Sequence, residues 1–230
     1  MVEAKPRSLA ALLVVLTITT GLIDAVSVLG LGRVFTANMT GNIVFLGFAL
    51  ARVPDFSARR SLAALAAFLV GALIGGRLGM RLDHLRPRWL LSVAVIESSL
   101  LFAAALAASG YDSAALAPVG RLYTLIALTA LAMGIRNATT RRLAVADFTT
   151  TVLTLTLTGL AADSWFAGGS NPRWARRVAS VAAMLGGAAV GGVLVLRGGG
   201  ELGLPLMLAG AITLIATVVA MAGSVNAAHR

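Results

Sequence analysis

Apolar runs follow one another along this chain with little between them except short basic stretches. Runs of about 20 residues, the length a helix needs to cross the hydrocarbon of a bilayer, stand at about 8–31, 60–80, 89–109, 120–137, 177–196 and 202–222. Shorter ones lie at about 34–51 and 146–162. Of the 230 residues, 58% are hydrophobic and 12% charged, and the mean hydropathy is +0.91. Such a chain has too few polar groups to solvate a soluble surface. The expected fold class is an all-α membrane protein with about eight transmembrane or partly spanning helices. Helix is preferred because a lone segment in hydrocarbon can satisfy its backbone hydrogen bonds only internally, and the runs are too long and uniformly apolar for barrel strands. The Thr154-Leu-Thr-Leu-Thr158 alternation is read as helix as well, since threonine hydroxyls can donate to the carbonyl one turn back. The first run follows Lys5 and Arg7 but outlasts a signal-peptide core, so it is taken as the first membrane helix.

The net charge of +10 and pI near 11.7 would raise nucleic-acid binding in a soluble protein. Here the basic residues cluster between apolar runs, as in Arg59 and Arg60, Arg86 and Arg88, Arg141 and Arg142, and Arg176 and Arg177. That placement fits topology and headgroup contact, so the expected partner is the lipid bilayer and not nucleic acid. The positive-inside rule points both termini toward the cytoplasm. Cysteine is absent and the two histidines are His84 and His229, so no metal centre or cofactor is expected. Trp89, Trp165 and Trp174 flank apolar runs, as an interfacial aromatic belt would.

A short pattern is written twice. Gly21-Leu-Ile-Asp-Ala leads to Ala37-Asn-Met-Thr-Gly-Asn-Ile-Val-Phe-Leu, and Gly134-Ile-Arg-Asn-Ala leads to Ala146-Asp-Phe-Thr-Thr-Thr-Val-Leu-Thr-Leu. Ala67 to Gly76 then matches Ala183 to Gly192 position by position. The chain therefore divides into halves at about 8–109 and 120–222, joined by a Gly110 to Gly120 linker, within one integral membrane domain. Four segments per half is an even number, which predicts two parallel four-helix repeats related by an axis along the membrane normal. An odd number would invert one half.

Polar groups inside apolar runs are the candidate site, because each is costly there unless paired, protonated or wet. Asp24 and Glu97 are read as proton or cation sites, with a structural partnership to an arginine as the alternative for Asp24. Asn137 is the counterpart of Asp24, and Arg136 stands beside it, which suggests an Asp24–Arg136 pair. Asn38, Thr40 and Asn42 open the short second run and Thr149, Thr150 and Thr151 its counterpart, where a helix starting at membrane depth would offer free N–H groups and side-chain ligands to a solute. The plainer reading of these residues is a helix cap and tight turn. Gly71/Gly75 and Gly187/Gly191 are spaced for close helix packing. No zincin, nucleophile-elbow, P-loop or dinucleotide motif is present, so the chain is not expected to be an enzyme.

Gly21-Leu-Ile-Asp-Ala-Val-Ser, Ala37-Asn-Met-Thr-Gly-Asn and the stretch from Ala132 through Asp147-Phe-Thr-Thr-Thr-Val-Leu-Thr resemble the YoaK (DUF1275) family of bacterial multi-pass membrane proteins. The likeness covers roughly Ser8 to Gly223. It implies a bacterial inner-membrane location and supplies no substrate. The functional expectation is a transporter or permease that moves an unidentified small solute or ion, with proton coupling as one form, through a polar site between the halves. A non-transporting scaffold or sensor is the rival.

Overall fold

The computed structural model describes residues 6–143, 153–171 and 173–226. Its helices are α1 (Pro6–Gly30), α2 (Met39–Leu50), α3 (Ala58–Leu82), α4 (Arg86–Ala107), α5 (Val119–Leu143), α6 (Leu153–Ala162), α7 (Trp174–Arg197) and α8 (Gly203–Asn226). Five stretches are long and apolar enough to cross a membrane; one of them, Ala58–Ala107, contains both α3 and α4. Short 3-10 turns at Asp83–Leu85 and Trp165–Ala167 complete the described elements. The all-α membrane class expected from the sequence holds.

Two clusters of buried side chains fix the direction of each long helix. One gathers Leu22 and Val26 of α1, and Leu31 just after it, with Ala64 of α3, Leu101 and Ala105 of α4, Leu122 of α5, Val195 of α7 and Leu202 just before α8. The other gathers Leu9 and Leu13 of α1 with Leu90 of α4, Leu143 of α5 and Met221 of α8, and Leu82 of α3 packs against it. The start of α1 therefore shares a level with the end of α5. Tyr111, ahead of α5, donates from its hydroxyl to the carbonyl of Gly30 at the end of α1 (3.0 Å). Burial pushes the Tyr111 phenol up to about 12, so it remains a donor through the physiological range. At the opposite end Arg142 binds Asp83 (2.6 Å) and holds that carboxyl below its usual range.

These directions correct the expectation of parallel halves. α1 and α5 run oppositely, as do α3 and α7, and α4 and α8. The reason lies in the short runs. α2 and the described part of α6 have 12 and 10 residues, about 18 and 15 Å at roughly 1.5 Å per residue, against about 30 Å of hydrocarbon. α2 does not cross: Ala37 just before it bonds Asp24 inside α1, while Asp55 just after it pairs with Arg33 beyond the end of α1 (3.2 Å). The chain dips in and comes back out on the same side. Each half is left with three long helices, an odd number.

The halves are also interlocked. α1 packs on α7 and α8, both from the second half, and α5 packs on α3 and α4, both from the first. Glycines make these pairings close. A β-carbon at Gly75 of α3 would lie 2.8 Å from the Ile135 carbonyl of α5, and one at Gly191 of α7 would lie 2.8 Å from the Leu22 carbonyl of α1. Gly71 and Gly187 abut the Leu131 and Ile18 carbonyls in the same two pairings, and Gly134 and Gly21 abut those of Phe68 and Met184.

Gly187→Ala should destabilise the protein by about 1–3 kcal/mol through overpacking, whereas Gly186→Ala, with open space around it, should be neutral or slightly stabilising; thermal melts in detergent compare them. Topology is open to a labelling test, because the chain has no cysteine of its own. Single cysteines at exposed Val53 and Ser170 should react from opposite sides of oriented vesicles, whereas parallel eight-span halves would place both on one side.

Candidate functional site

Arg136, 2% exposed, reaches from α5 into the middle of the bundle. Its Nη1 lies 3.0 Å from the Leu16 carbonyl and 2.8 and 2.9 Å from the hydroxyls of Thr19 and Thr20 on α1. Those hydroxyls donate their own protons to Leu16, which leaves their lone pairs for the guanidinium. Nη2 donates to Thr213 of α8 (2.9 Å) and to the carboxylate of Glu97 on α4, itself 2% exposed. One side chain thus ties α5 to α1, α4 and α8. Beside the pair is a cavity of about 20 Å³ touched by Thr139, Thr140 and Thr217, large enough for roughly one water.

The expected Asp24–Arg136 pair is not formed. Arg136 takes Glu97 instead, while Asp24, 5% exposed, accepts from the backbone N–H of Ala37 (2.9 Å). The segment before α2 is not helical, so its backbone groups must find other partners inside hydrocarbon. Asp24 satisfies one. Asn42 satisfies two more, accepting from Phe35 N–H (2.9 Å) and donating to Phe35 C=O (2.6 Å). Asn38 caps α2 by accepting from Gly41 N–H (3.4 Å). Phe35 stacks on Phe45 (centroids 5.4 Å apart), Phe45 and Phe48 both meet Phe56, and Arg33 lies over the Phe56 ring. This aromatic cluster closes the mouth of the hairpin.

Where α2 begins, a cavity of about 350 Å³ is lined by Asp24 of α1, by Asn38, Thr40 and Val44 of the α2 hairpin, by Leu153 and Thr154 at the start of α6, and by Met184 of α7. That is within the usual range for a small-molecule site. α6 is anchored at its other end, where Arg177 of α7 binds the Gly159 carbonyl (2.6 Å) and Asp163 (2.7 Å). The starts of both short helices therefore face one space, shared by elements of both halves.

Of the residues singled out from sequence, Asp24, Asn38 and Thr40 come together at this cavity. Glu97 and Arg136 meet each other at the separate central pair. Asn42 is fully buried behind the cavity as a backbone partner, and Asn137 donates to the Met133 carbonyl one turn back (2.9 Å) and does not line the space. Thr149, Thr150 and Thr151 lie outside the described residues. Thr19, Thr20, Thr213 and Thr154 were not singled out as site residues. Hydroxyls within apolar runs were the available signal, and Thr17-Ile-Thr-Thr20 stands directly before the duplicated Gly21 motif. Trp89 is a correction to the belt: it is 2% exposed and packs in the core, whereas Trp165 and Trp174 are exposed.

The fold and site define a polytopic α-helical membrane protein with two short helices that border one open cavity. The family described as "Protein of unknown function (DUF1275)" matches residues 12–219, and the chain belongs to it. It is 38% identical over 153 residues to the UPF0700 transmembrane protein YoaK of Bacillus subtilis (strain 168), a match covering 66% of this chain and 65% of that relative, just under two thirds of its length. No solved structure matches.

The ion pair can be tested by a mutant cycle. Glu97→Gln or Arg136→Gln alone strands a buried charge and should cost about 3–5 kcal/mol, and the double variant should cost less than the sum. Asp24→Asn combined with Arg136→Gln should be additive within about 0.5 kcal/mol. Unfolding midpoints in detergent give both comparisons.

Proposed function

We propose that this chain is a transporter or permease that moves a small solute or ion through the cavity between its halves. The observation carrying the reading is the cavity itself: a carboxylate, an amide and two hydroxyls lining one space among apolar helices, where α2 and α6 converge. Broken helices meeting between two halves of opposite direction are a recurrent way to build a midplane site, since helix starts and unwound backbone supply polar groups that hydrocarbon otherwise forbids. In this reading the two halves are inverted repeats. Asp24 binds the charged or proton-bearing part of the solute, Asn38, Thr40 and Thr154 contact the remainder, and Glu97 with Arg136 forms the fixed point about which α1, α4, α5 and α8 rock.

The reading takes the chain as a non-enzyme of the bacterial inner membrane. Its termini lie in the cytoplasm: Arg81, Arg86, Arg88, Arg141, Arg142, Arg173, Arg176 and Arg177 fall at the end of the bundle where α1 starts and α8 finishes, against Arg33, Arg52, Arg59, Arg60, Arg121 and Arg197 at the other. Counting α2 and α6 as hairpins is what separates these groups. The scaffold reading draws its support from the central pair, in which two buried charges satisfy each other; the larger cavity is what it leaves without a purpose.

In proteoliposomes challenged with sodium chloride, methylammonium chloride or glycerol gradients, light scattering should show faster volume recovery than in empty vesicles for at least one solute. Asp24→Asn should slow that recovery by about tenfold, the effect of losing one charged contact. Protein-containing vesicles indistinguishable from empty ones throughout would favour the scaffold.

A further inference from the structure

We infer that the cavity selects a small monovalent cation, an alkali ion or a primary ammonium, over anions; this rests on the transport reading above and sharpens it. Three observations carry the inference. Asp24 is the one ionisable side chain lining the cavity among the described residues. The arginine nearest the middle of the bundle, Arg136, is committed to Glu97, Leu16 and three threonine hydroxyls. The start of α2 would ordinarily attract an anion, but Asn38 takes the N–H of Gly41 there, and the Asp24 carboxylate, which takes the N–H of Ala37 just ahead of the helix, stands beside it.

An anion would therefore meet a carboxylate where its own donors should be. A cation would meet that carboxylate and the hydroxyl oxygens of Thr40 and Thr154, which are hard oxygen ligands. Among the described residues the lining offers a single carboxylate, which balances a single positive charge, whereas a second charge would find no further anionic group among them. The volume of about 350 Å³ accommodates either a partly hydrated alkali ion or a small amine.

The test uses the full chain in detergent with one cysteine at Thr40, compared with one at the exposed loop residue Ser170. Each is modified by 2-aminoethyl methanethiosulfonate, which is cationic, and by 2-sulfonatoethyl methanethiosulfonate, which is anionic. The cation-to-anion rate ratio at Thr40→Cys should exceed that at Ser170→Cys by about tenfold, and adding Asp24→Asn should bring it down toward the loop value. A ratio equal to the loop's, or reversed, overturns the cation assignment while leaving an accessible cavity. No reaction of Thr40→Cys with either reagent overturns the cavity reading itself. If Asp24→Asn does not fold, the ratio in the Asp24 chain still decides. Slowing of Thr40→Cys modification by sodium chloride alone assigns an alkali ion, and by methylammonium chloride alone an amine. Slowing by neither, against N-methylglucamine chloride at equal ionic strength, overturns the assignment.

Discussion

Backbone that is not helical cannot be left unpaired inside hydrocarbon, and the arrangement around α2 follows from that constraint. The chain between α1 and α2 bends in as irregular backbone, without a helix's internal bonds to rely on. Asp24 and Asn42 take over, one from the neighbouring helix and one from the following turn. Both residues looked like ligands for a solute because polar side chains in apolar runs usually signal function. Asn42 is spent on the backbone; Asp24 does that duty and also faces the cavity. Holding α2 open at depth and presenting a carboxylate to the space are thus two roles of one side chain.

Close packing and the buried ion pair work on different faces of the same helices. Glycine contacts bring α1 against α7 and α3 against α5, while Arg136 gathers α1, α4 and α8 around α5. Removing water from an arginine and a glutamate costs several kcal/mol per ion, and the threonine hydroxyls and the Leu16 carbonyl offset much of that. The centre is consequently a junction of four helices tied through one guanidinium, and the polar cavity is lined by other residues.

Much of the architecture was legible from sequence, because run length and hydropathy report directly on membrane crossing: the six long runs became α1, α3, α4, α5, α7 and α8, and the two short ones α2 and α6. The direction of the halves was not. It turned on whether a helix of 12 residues crosses, and composition alone does not distinguish a short span from a hairpin that returns to its own side. The Asp24–Arg136 pairing failed for a related reason, since aligning the two halves places residues by their equivalence and not by which helices touch. Trp89 shows the same limit: an aromatic at the end of a run can turn inward as readily as toward the headgroups. The threonine partners of Arg136 were hidden because a hydroxyl in a helix is so often content with its own carbonyl.

The exchange of partners between halves bears on biogenesis. When the ribosome has made only α1 to α4, α1 still lacks the two helices it packs against most, because both α7 and α8 are still to come. The early helices must wait in the lipid, or beside the insertion machinery, until the last segments arrive. The packing around α1 is therefore complete only once the last helices have been made, and a nascent chain cut short leaves α1 without its main partners.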